Sequence, residues 1–382
     1  MPLTGQIPCR RGAKRWHSVS AILGLALVAA ASAAPPSSSL PRDVSEDLVL
    51  SPELADLIES AQAQAIQEVT DNEEKLRKRV EAASCTIGNL VFHREYGSLS
   101  KQERLAYVNA VKCLQSLPPR TPASVAPGSK SRFDDFTVTH IQQTLSIHYS
   151  GIFQPWHRWF VYQYEKALCD ECGYTGYQPY WDWPKYAAAP QDSPIFNGEY
   201  IPHAGPVIEP PASIGGGQIQ LPAGVGGVLV ATGPFVNMTV NLGPCDLGGA
   251  MNTRCANYYT TVFNLLLTPN VDKFRLVSEG VPYMVEIGPH GGIHYTLGGD
   301  PGGDLFTSPG DPAFWVHHGQ IDRMWRYTNL GSGNYAHITW ANEPASNFTK
   351  LSDVIDMGYA GESTTIANVM STTSGDFCYF YL

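Results

Sequence analysis

Basic side chains are scarce in this sequence. Its 382 residues include 25 Lys and Arg against 35 Asp and Glu, which gives a formal net charge of −10 at pH 7. Nucleic acid is held largely by Lys and Arg that neutralise its phosphates, and the chain contains no basic stripe suited to that task. An acidic balance instead favours solubility. We therefore expect no nucleic-acid partner.

Long apolar runs are also missing. The run from Ala21 to Ala31 falls short of the ~20 residues that a membrane-spanning helix needs, and no later segment comes near that length. Four basic residues precede this run and the small residues Ala31-Ser-Ala33 follow it. This is the pattern of a secretory signal peptide over residues 1–34, with a membrane anchor as the less favoured alternative. We expect a secreted protein that does not associate with membranes.

Export has two further consequences for the surface. Removal of the leader takes away four basic residues and leaves 21 basic against 35 acidic side chains, a net charge of −14. Asn237 and Asn347 each begin an Asn-x-Thr sequence, which is the acceptor for N-linked glycans in secreted chains. Both asparagines are therefore predicted glycosylation sites.

Cysteine is infrequent, with eight residues, of which Cys9 lies in the leader. Disulfides are the default in a secreted chain, but seven is an odd number, so at least one thiol stays unpaired or pairs elsewhere. Cys169 and Cys172 form a C-x-x-C sequence without the second such motif that a zinc site needs. We expect them to join two separate disulfides, and we favour Cys245 with Cys255 as a local pair.

The remaining sequence is typical of one helical domain without internal repeats. Residues 35–50 are rich in Pro and Ser and are expected to be mobile, and residues 51–382 are expected to form a single domain. Residues 184–250 have the composition of irregular chain, with β-prone fragments at 226–230 and 235–240. Apolar spacing typical of helices begins or recurs at residues 51–83, 100–117, from 133, 156–168, 257–267, around 290 and 311–327. We predict a mainly α fold with long irregular loops and a few short strands.

Two helix starts carry specific signals. Ser100 and Glu103 form a capping box, in which each side chain satisfies a backbone N–H of the other residue. Asp311 followed by Pro312 combines a good N-cap with proline at the first helical position. Both patterns predict where a helix begins to within a residue or so.

Histidines form two clusters separated by more than a hundred residues. A single histidine is usually a surface or core group, but such grouping is uncommon by chance. The first cluster comprises His140, His148 and His157, and the second comprises His290, His294, His317 and His318.

Spacing within the clusters predicts local structure. His290 and His294 are four residues apart, so on a helix they lie above one another with a rise of ~6 Å and can reach one metal ion, although Gly291-Gly292 between them weakens the helix. His140 and His148 would be ~12 Å apart along a continuous helix. The helix that carries His140 must therefore end before His148, which then lies on a loop.

The other histidines are less constrained. His157 follows Pro155, which we expect to open the next helix. His317 and His318 point about 100° apart on a helix, so only one of them can face a common centre. His318 shares a face with Phe314, but the periodicity alone does not choose between the two.

The type of ligand residue limits which metal ions the two clusters could bind. Three histidines per site, without Cys or carboxylate nearby in sequence, fit copper or zinc. A lone three-histidine site would suit a zinc-bound hydroxide. Two such sites in one exported chain favour two copper ions and oxygen chemistry.

Four motifs resemble the signatures of the tyrosinase and catechol oxidase family of type 3 copper proteins. They are Pro155-Trp-His-Arg158, Pro179-Tyr-Trp-Asp-Trp183, His290-Gly-Gly-Ile-His294 and Asp311-Pro-Ala-Phe-Trp-Val-His-His-Gly-Gln-Ile-Asp-Arg323. The resemblance covers residues 85–381 and is closest to the short secreted tyrosinase-like oxidases of fungi. Tyr379-Phe-Tyr381 resembles the Tyr-x-Tyr motif that closes the catalytic domain in this family.

The resemblance implies a central four-helix bundle that holds a dinuclear copper site. It implies that the first copper is bound by His140, His148 and His157, and the second by His290, His294 and His318. His317 then becomes a neighbour of the ligands, and Phe314 packs on a ligand imidazole. Asp322, Arg323 and Arg158 become structural polar groups beside the helices.

The sequence also departs from the family pattern. Ser146 occupies the position of a cysteine that forms a thioether with a ligand histidine in many relatives, so that bond should be absent. Gly291 replaces an asparagine that helps to orient a water molecule. Glu286 approximately matches the glutamate that holds this water, and Leu305 lies where relatives place a residue that gates the second copper. We also expect no C-terminal shielding domain of the kind that longer relatives carry.

These features predict an oxidase that converts o-diphenols to o-quinones with dioxygen, with monophenol and o-aminophenol oxidation as secondary activities. The alternatives are a tyrosinase with full monophenol hydroxylase activity, a non-catalytic oxygen-binding protein, and a zinc hydrolase or metal-free binding protein. The expected partners are a small phenol and dioxygen, and the expected assembly is a monomer or weak oligomer.

Overall fold

The computed structural model describes residues 52–79, 85–187, 189–196, 212–214, 219–221, 233–235, 238, 240–242, 278–279, 288–297, 301–327 and 349–382. The predicted signal peptide and mobile segment lie outside these residues. So do the predicted helix at 257–267, the β-prone fragment at 226–230, the Cys245–Cys255 pair, Glu286 and both glycosylation sites. No helix within the described residues is long and apolar enough to span a membrane.

Six α-helices dominate the described residues, which confirms the mainly α fold. They are α1 (Pro52–Arg79), α2 (Lys101–Ser116), α3 (Arg132–Ile147), α4 (Phe153–Cys172), α5 (Pro289–Leu297) and α6 (Ala313–Tyr327). Helix α4 is central, because it packs against α2, α3 and α6, and α5 packs against α6. The four histidine-bearing helices α3 to α6 form the predicted central bundle.

Short strands lie around this bundle in three two-stranded pairs within the described residues. β1 (Val91–His93) pairs in parallel with β6 (Tyr379–Tyr381), β2 (Ala212–Ile214) pairs antiparallel with β3 (Ile219–Leu221), and β4 (Val354–Ile355) pairs antiparallel with β5 (Thr364–Thr365). Val91 lies opposite Tyr379, so the Tyr-x-Tyr motif pairs with a strand more than 280 residues earlier in the chain. Of the β-prone residues 235–240, the three that are described lie in turn or irregular chain.

The helix starts agree with their capping signals. The Ser100 hydroxyl accepts from the Glu103 N–H at 3.3 Å, and the Glu103 carboxylate accepts from the Ser100 N–H at 2.8 Å. Asp311 accepts from the Ala313 N–H at 2.8 Å, as expected of an N-cap. The prediction that Pro155 opens α4 was slightly wrong, because α4 begins at Phe153. Proline is tolerated in that first turn because those N–H groups have no helical acceptor.

Aromatic side chains form most of the core between α3, α4 and α6. The Tyr164 ring on α4 stacks on Trp315 of α6 at 3.7 Å between centroids and 5° between planes. Gly319 allows α6 to approach the motif at 179–183, since a Cβ there would lie 3.1 Å from the Pro179 carbonyl oxygen. The Trp181 N–H donates to the Val316 carbonyl at 2.8 Å across this contact. The Pro179–Trp183 motif therefore packs against α6.

Disulfides tie the ends of these elements together. Cys113 at the end of α2 bonds to Cys172 at the end of α4, and Cys85 bonds to Cys378 beside the β1–β6 pair. Cys169 is also disulfide-bonded. The expectation that Cys169 and Cys172 join separate disulfides is confirmed.

Candidate metal centre

The first histidine cluster forms where α3 ends and α4 begins. Helix α3 ends at Ile147, so His140 lies within the helix and His148 is its C-cap residue with extended backbone angles (φ −102°, ψ 151°). His157 is the fifth residue of α4. The three rings approach to 5.0 Å for His140–His148, 5.2 Å for His148–His157 and 5.8 Å for His140–His157 between centroids. The break in the helix predicted from the eight-residue spacing is what brings them together.

The second cluster forms between α5 and α6. The Nε2 atom of His294 lies 3.2 Å from Nε2 of His290 on the same helix and 3.4 Å from Nε2 of His318 on α6. His317 also belongs to this group, in which candidate ligand atoms of all four residues lie within 4.8 Å of one another. Three Nε2 atoms from two helices thus point at one place.

The two clusters face each other. The His157 and His318 rings stack at 4.6 Å with 15° between their planes, and the His148 and His290 rings lie 6.0 Å apart with 26° between planes. Residues separated by more than 130 positions in the chain therefore share one buried centre.

Backbone carbonyls set which ring nitrogen is free. A carbonyl oxygen can only accept, so each nitrogen that bonds to one carries the proton. Four Nδ1 atoms donate in this way: His140 to Phe306 at 2.8 Å, His148 to Thr144 at 2.9 Å, His157 to Phe153 at 2.8 Å and His294 to Gly302 at 3.1 Å. The lone pair of each ring is consequently on Nε2, which is the nitrogen directed at the centre.

These nitrogens fit metal ions better than they fit each other. The Nε2 atoms of His140 and His157 are buried and make no hydrogen bond within the part of the chain that the structure describes. Leaving a buried polar atom unpaired costs roughly 1–3 kcal/mol, and a bound cation would give both of these lone pairs a partner. Neutral imidazoles alone, three to a side, are a donor set that suits copper.

Burial keeps all seven rings neutral. It lowers the pKa of His148 and His294 to about 4, with a smaller opposing effect from their carbonyl partners. Burial also lowers the pKa of the other five rings well below the usual value, and neighbouring imidazoles add to this effect. A histidine must be neutral to bind a metal, so the centre is ready for metal at neutral pH.

Packing separates His318 from His317, which periodicity could not do. The His318 ring stacks on Phe314 at 4.1 Å and 29°, and its other contacts reach His157 of the first cluster. The His317 ring contacts His294 at 4.9 Å, His290 at 5.6 Å and Trp183 at 6.4 Å, and it makes no ring contact with the first cluster among the described residues. His318 therefore faces the space between the clusters.

The loop before α6 supports both clusters, which the sequence did not reveal. Its Gly302 and Phe306 carbonyls accept hydrogen bonds from His294 and His140. Asp304 stabilises the turn by accepting hydrogen bonds from the Phe306 and Thr307 N–H groups at 2.8 Å each. The Pro301-Gly-Gly-Asp304 sequence indicates a turn, but nothing in it shows what the turn faces. Leu305 is half-buried in this loop, beside Phe306.

A buried ion pair joins the two helices behind the rings. Arg158, next to His157, donates Nε to the Asp322 carboxylate at 2.5 Å, and Asp322 lies one turn after His318. The other carboxylate oxygen accepts from the Tyr379 and Tyr381 hydroxyls at 2.7 and 2.5 Å. Burial acts to lower the pKa of Arg158, but the Asp322 charge, its hydrogen bond and the neighbouring Tyr379 and Tyr381 together raise that pKa. The Tyr-x-Tyr motif thus anchors the helices that hold His157 and His318.

Similarity to known proteins agrees with this geometry. The family model described as the common central domain of tyrosinase matches residues 130–327, which contain all seven clustered histidines. Tyrosinase P of Aspergillus terreus is 37% identical over 332 residues, covering 75% of this chain and 90% of that protein. An N-acetyl-6-hydroxytryptophan oxidase of Emericella nidulans is 31% identical over 344 residues, covering 78% of this chain and 93% of the relative.

One solved structure is similar over most of the chain. It is a polyphenol oxidase from Thermothelomyces thermophila, solved as a variant in which one glycine is replaced by asparagine. It is 60% identical, covers 88% of this chain and 99% of that chain, and superposes with a TM-score of 0.80.

Proposed function

This chain belongs to the tyrosinase family, and we propose that it is a secreted catechol oxidase that converts o-diphenols to o-quinones with dioxygen. Members of the family are oxidoreductases that hold a dinuclear copper centre and act on phenols with dioxygen. Secretion is supported by the leader pattern at residues 1–34.

The observation that carries the proposal is the convergence of two histidine clusters on one buried centre. We assign the first copper to His140, His148 and His157, whose Nδ1 protons all point at carbonyls. We assign the second copper to His290, His294 and His318, whose Nε2 atoms meet within 3.4 Å of His294. We leave His317 outside this set because His318, and not His317, contacts a ring of the first cluster among the described residues.

The chain supports the reaction by orienting groups and excluding water. Once bound, the copper pair supplies the redox chemistry that dioxygen and a diphenol require. The carbonyl hydrogen bonds hold each imidazole in one tautomer and one orientation, and the aromatic rings of Phe314 and Phe153 exclude water beside His318 and His290. Each diphenol loses two protons and two electrons, and one dioxygen takes up four of each to become two waters.

Deprotonation of the substrate needs a base, since phenols titrate near pH 10. We propose Glu286, acting through a water molecule, for this role. Gly291 follows the first ligand on α5 and has no side chain to orient that water. Diphenols, which are the more acidic and more easily oxidised substrates, should therefore be preferred to monophenols. Leu305 is proposed as a gate of moderate size that leaves the centre open.

Oxygen uptake by the copper-loaded protein tests the proposal. We expect catechol to be turned over fastest, with slower turnover of o-aminophenol, tyramine and tyrosine. N-acetyl-6-hydroxytryptophan belongs in the panel because a relative is named as its oxidase. Faster turnover of tyrosine than of catechol would show a full tyrosinase instead. Oxygen binding without quinone formation would show a non-catalytic oxygen-binding protein.

Two supporting measurements sharpen the test. Gly291→Asn should raise monophenol turnover relative to diphenol turnover, whereas the control Gly291→Ala adds a side chain without an amide and should leave the ratio unchanged. Metal analysis should find two copper ions per chain, and zinc in their place would contradict the oxidase. Size-exclusion chromatography tests the proposed monomer or weak oligomer.

A further inference from the structure

The loop between α3 and α4 contains an unfavourable backbone conformation directly after a cluster histidine. Tyr149 has φ +51° and is the only non-glycine residue with positive φ among those the structure describes. Side chains of L-residues crowd the following carbonyl in this left-handed conformation, so it persists only where the surroundings enforce it. Tyr149 follows His148, so whatever enforces its conformation also bears on that imidazole.

A buried carboxylate supplies the enforcing contact. The Tyr149 N–H donates to Oε1 of Glu279 at 2.6 Å, and Glu279 is 4% exposed. Hydrogen bonds to a charged acceptor are shorter and stronger than neutral ones, and a buried carboxylate has no bulk water to replace this donor. Ser150 adds a second tie, because its hydroxyl donates to the Ser146 carbonyl at 2.8 Å.

The position of Glu279 in the chain gives this contact a second consequence. Glu279 lies eleven residues before His290, on the segment that leads into α5. Its hydrogen bond therefore joins the segment carrying the second cluster to the loop carrying the first. The His148 and His290 rings face each other 6.0 Å apart across the same junction.

We propose that Glu279 is a positioning residue for His148. By accepting a hydrogen bond from the Tyr149 N–H, its carboxylate holds Tyr149 in the left-handed conformation. This orients the His148 ring toward its metal and maintains the distance between the two histidine clusters. The role in copper binding rests on the proposed assignment of His148 as a copper ligand. The ordering of the loop does not.

Amide hydrogen exchange on copper-free protein tests the ordering directly. Glu279→Ala should raise the exchange rate of the peptide covering residues 148–152 by roughly 10–100-fold, since the hydrogen bond that protects Tyr149 is lost. Glu279→Gln keeps an acceptor oxygen and should stay within about tenfold of the wild type. The control Ser278→Ala changes an equally buried neighbour and should leave this peptide unchanged.

Competition with a chelator tests the consequence for metal. Glu279→Ala should weaken the binding of one of the two copper ions by about 10–100-fold, because groups that position ligand histidines have effects of this size on metal affinity. The affinity for the other copper ion should stay within about threefold of the wild type. Tyr149→Gly removes the backbone strain. In the Tyr149→Gly background, Glu279→Ala should reduce the copper affinity by a smaller factor than it does in the wild-type background.

The outcomes separate this inference from the proposed function. The positioning role is overturned if Glu279→Ala has the amide exchange rate of the wild type. It is also overturned if Glu279→Ala loses as much copper affinity in the Tyr149→Gly background as it does with Tyr149 present. If Glu279→Ala does not fold, Glu279→Leu, which keeps a side chain of similar size but has no acceptor oxygen, is compared in the same way, alone and in the Tyr149→Gly background. A wild-type protein that binds no copper contradicts the oxidase, while the exchange rates of the copper-free variants still decide whether Glu279 orders the loop.

Discussion

Replacing Asp322 with asparagine is the sharpest test of how the bundle holds its histidines. The carboxylate is 5% exposed and accepts from Arg158, Tyr379 and Tyr381. Asp322→Asn keeps the shape but leaves the Arg158 charge buried without its counter-ion. Removing one partner of a buried ion pair in this way costs about 3–5 kcal/mol.

The expected loss converts to a measurable shift in melting temperature. For large domains 1 kcal/mol corresponds to roughly 2–4 °C, so Asp322→Asn should lower Tm by about 6–20 °C in calorimetry of the copper-free protein. Copper retention should fall as well, because Arg158 is adjacent to His157 and Asp322 lies one turn after His318.

A matched control is available on α4, the helix that carries Arg158. Asp170 on α4 pairs with Lys166 four residues earlier; Asp170 is exposed and Lys166 is partly exposed. Exposed pairs of this kind contribute about 0.3–0.5 kcal/mol, so Asp170→Asn should hardly change Tm. If Asp322→Asn melts within about 2 °C of Asp170→Asn, which corresponds to less than ~1 kcal/mol, the buried pair does not hold the helices.

Three further outcomes are expected. Copper affinity measured by chelator competition should change by less than about twofold between pH 7 and 5, because rings such as His148 and His294, with a pKa of about 4, are already neutral; exposed ligands of pKa near 6.5 would each lose about 30-fold. Cys113→Ser removes a disulfide that spans 59 residues and should lower the free energy of unfolding by about 4 kcal/mol in urea titrations. Wild-type protein in which this disulfide alone is reduced should show the same loss. Gly319→Val should destabilise by at least about 1–3 kcal/mol in the same assay, because a branched side chain would enter the Pro179 carbonyl contact, and wild-type stability would contradict this packing.

Features set by short-range geometry were predicted well. The capping box at Ser100 and the N-cap at Asp311 are where the sequence places them, because both depend on residues within three positions of each other. The break between His140 and His148 followed from the rise of a helix. The start of α4 was misplaced by two residues, because proline is acceptable at several positions of a first turn.

Features that depend on distant segments were not predicted. The Phe306 and Gly302 carbonyls that fix two rings lie on a loop with no chemical signal of its own. The contact between Glu279 and the Tyr149 N–H joins residues 130 positions apart, and a backbone N–H leaves no trace in a residue pattern. The choice of His318 needed the packing of α6 on α4.

The sequence by itself determined that two groups of histidines exist, which helices carry them, and which donor chemistry they offer, since residue identity and helical spacing are local properties. Only the tertiary structure decided which rings meet, which nitrogen of each carries the lone pair, and which of two adjacent histidines faces the centre. These depend on how segments more than a hundred residues apart pack together. That packing is governed by burial and by pairing of buried polar groups over the whole core, which no single stretch of sequence specifies.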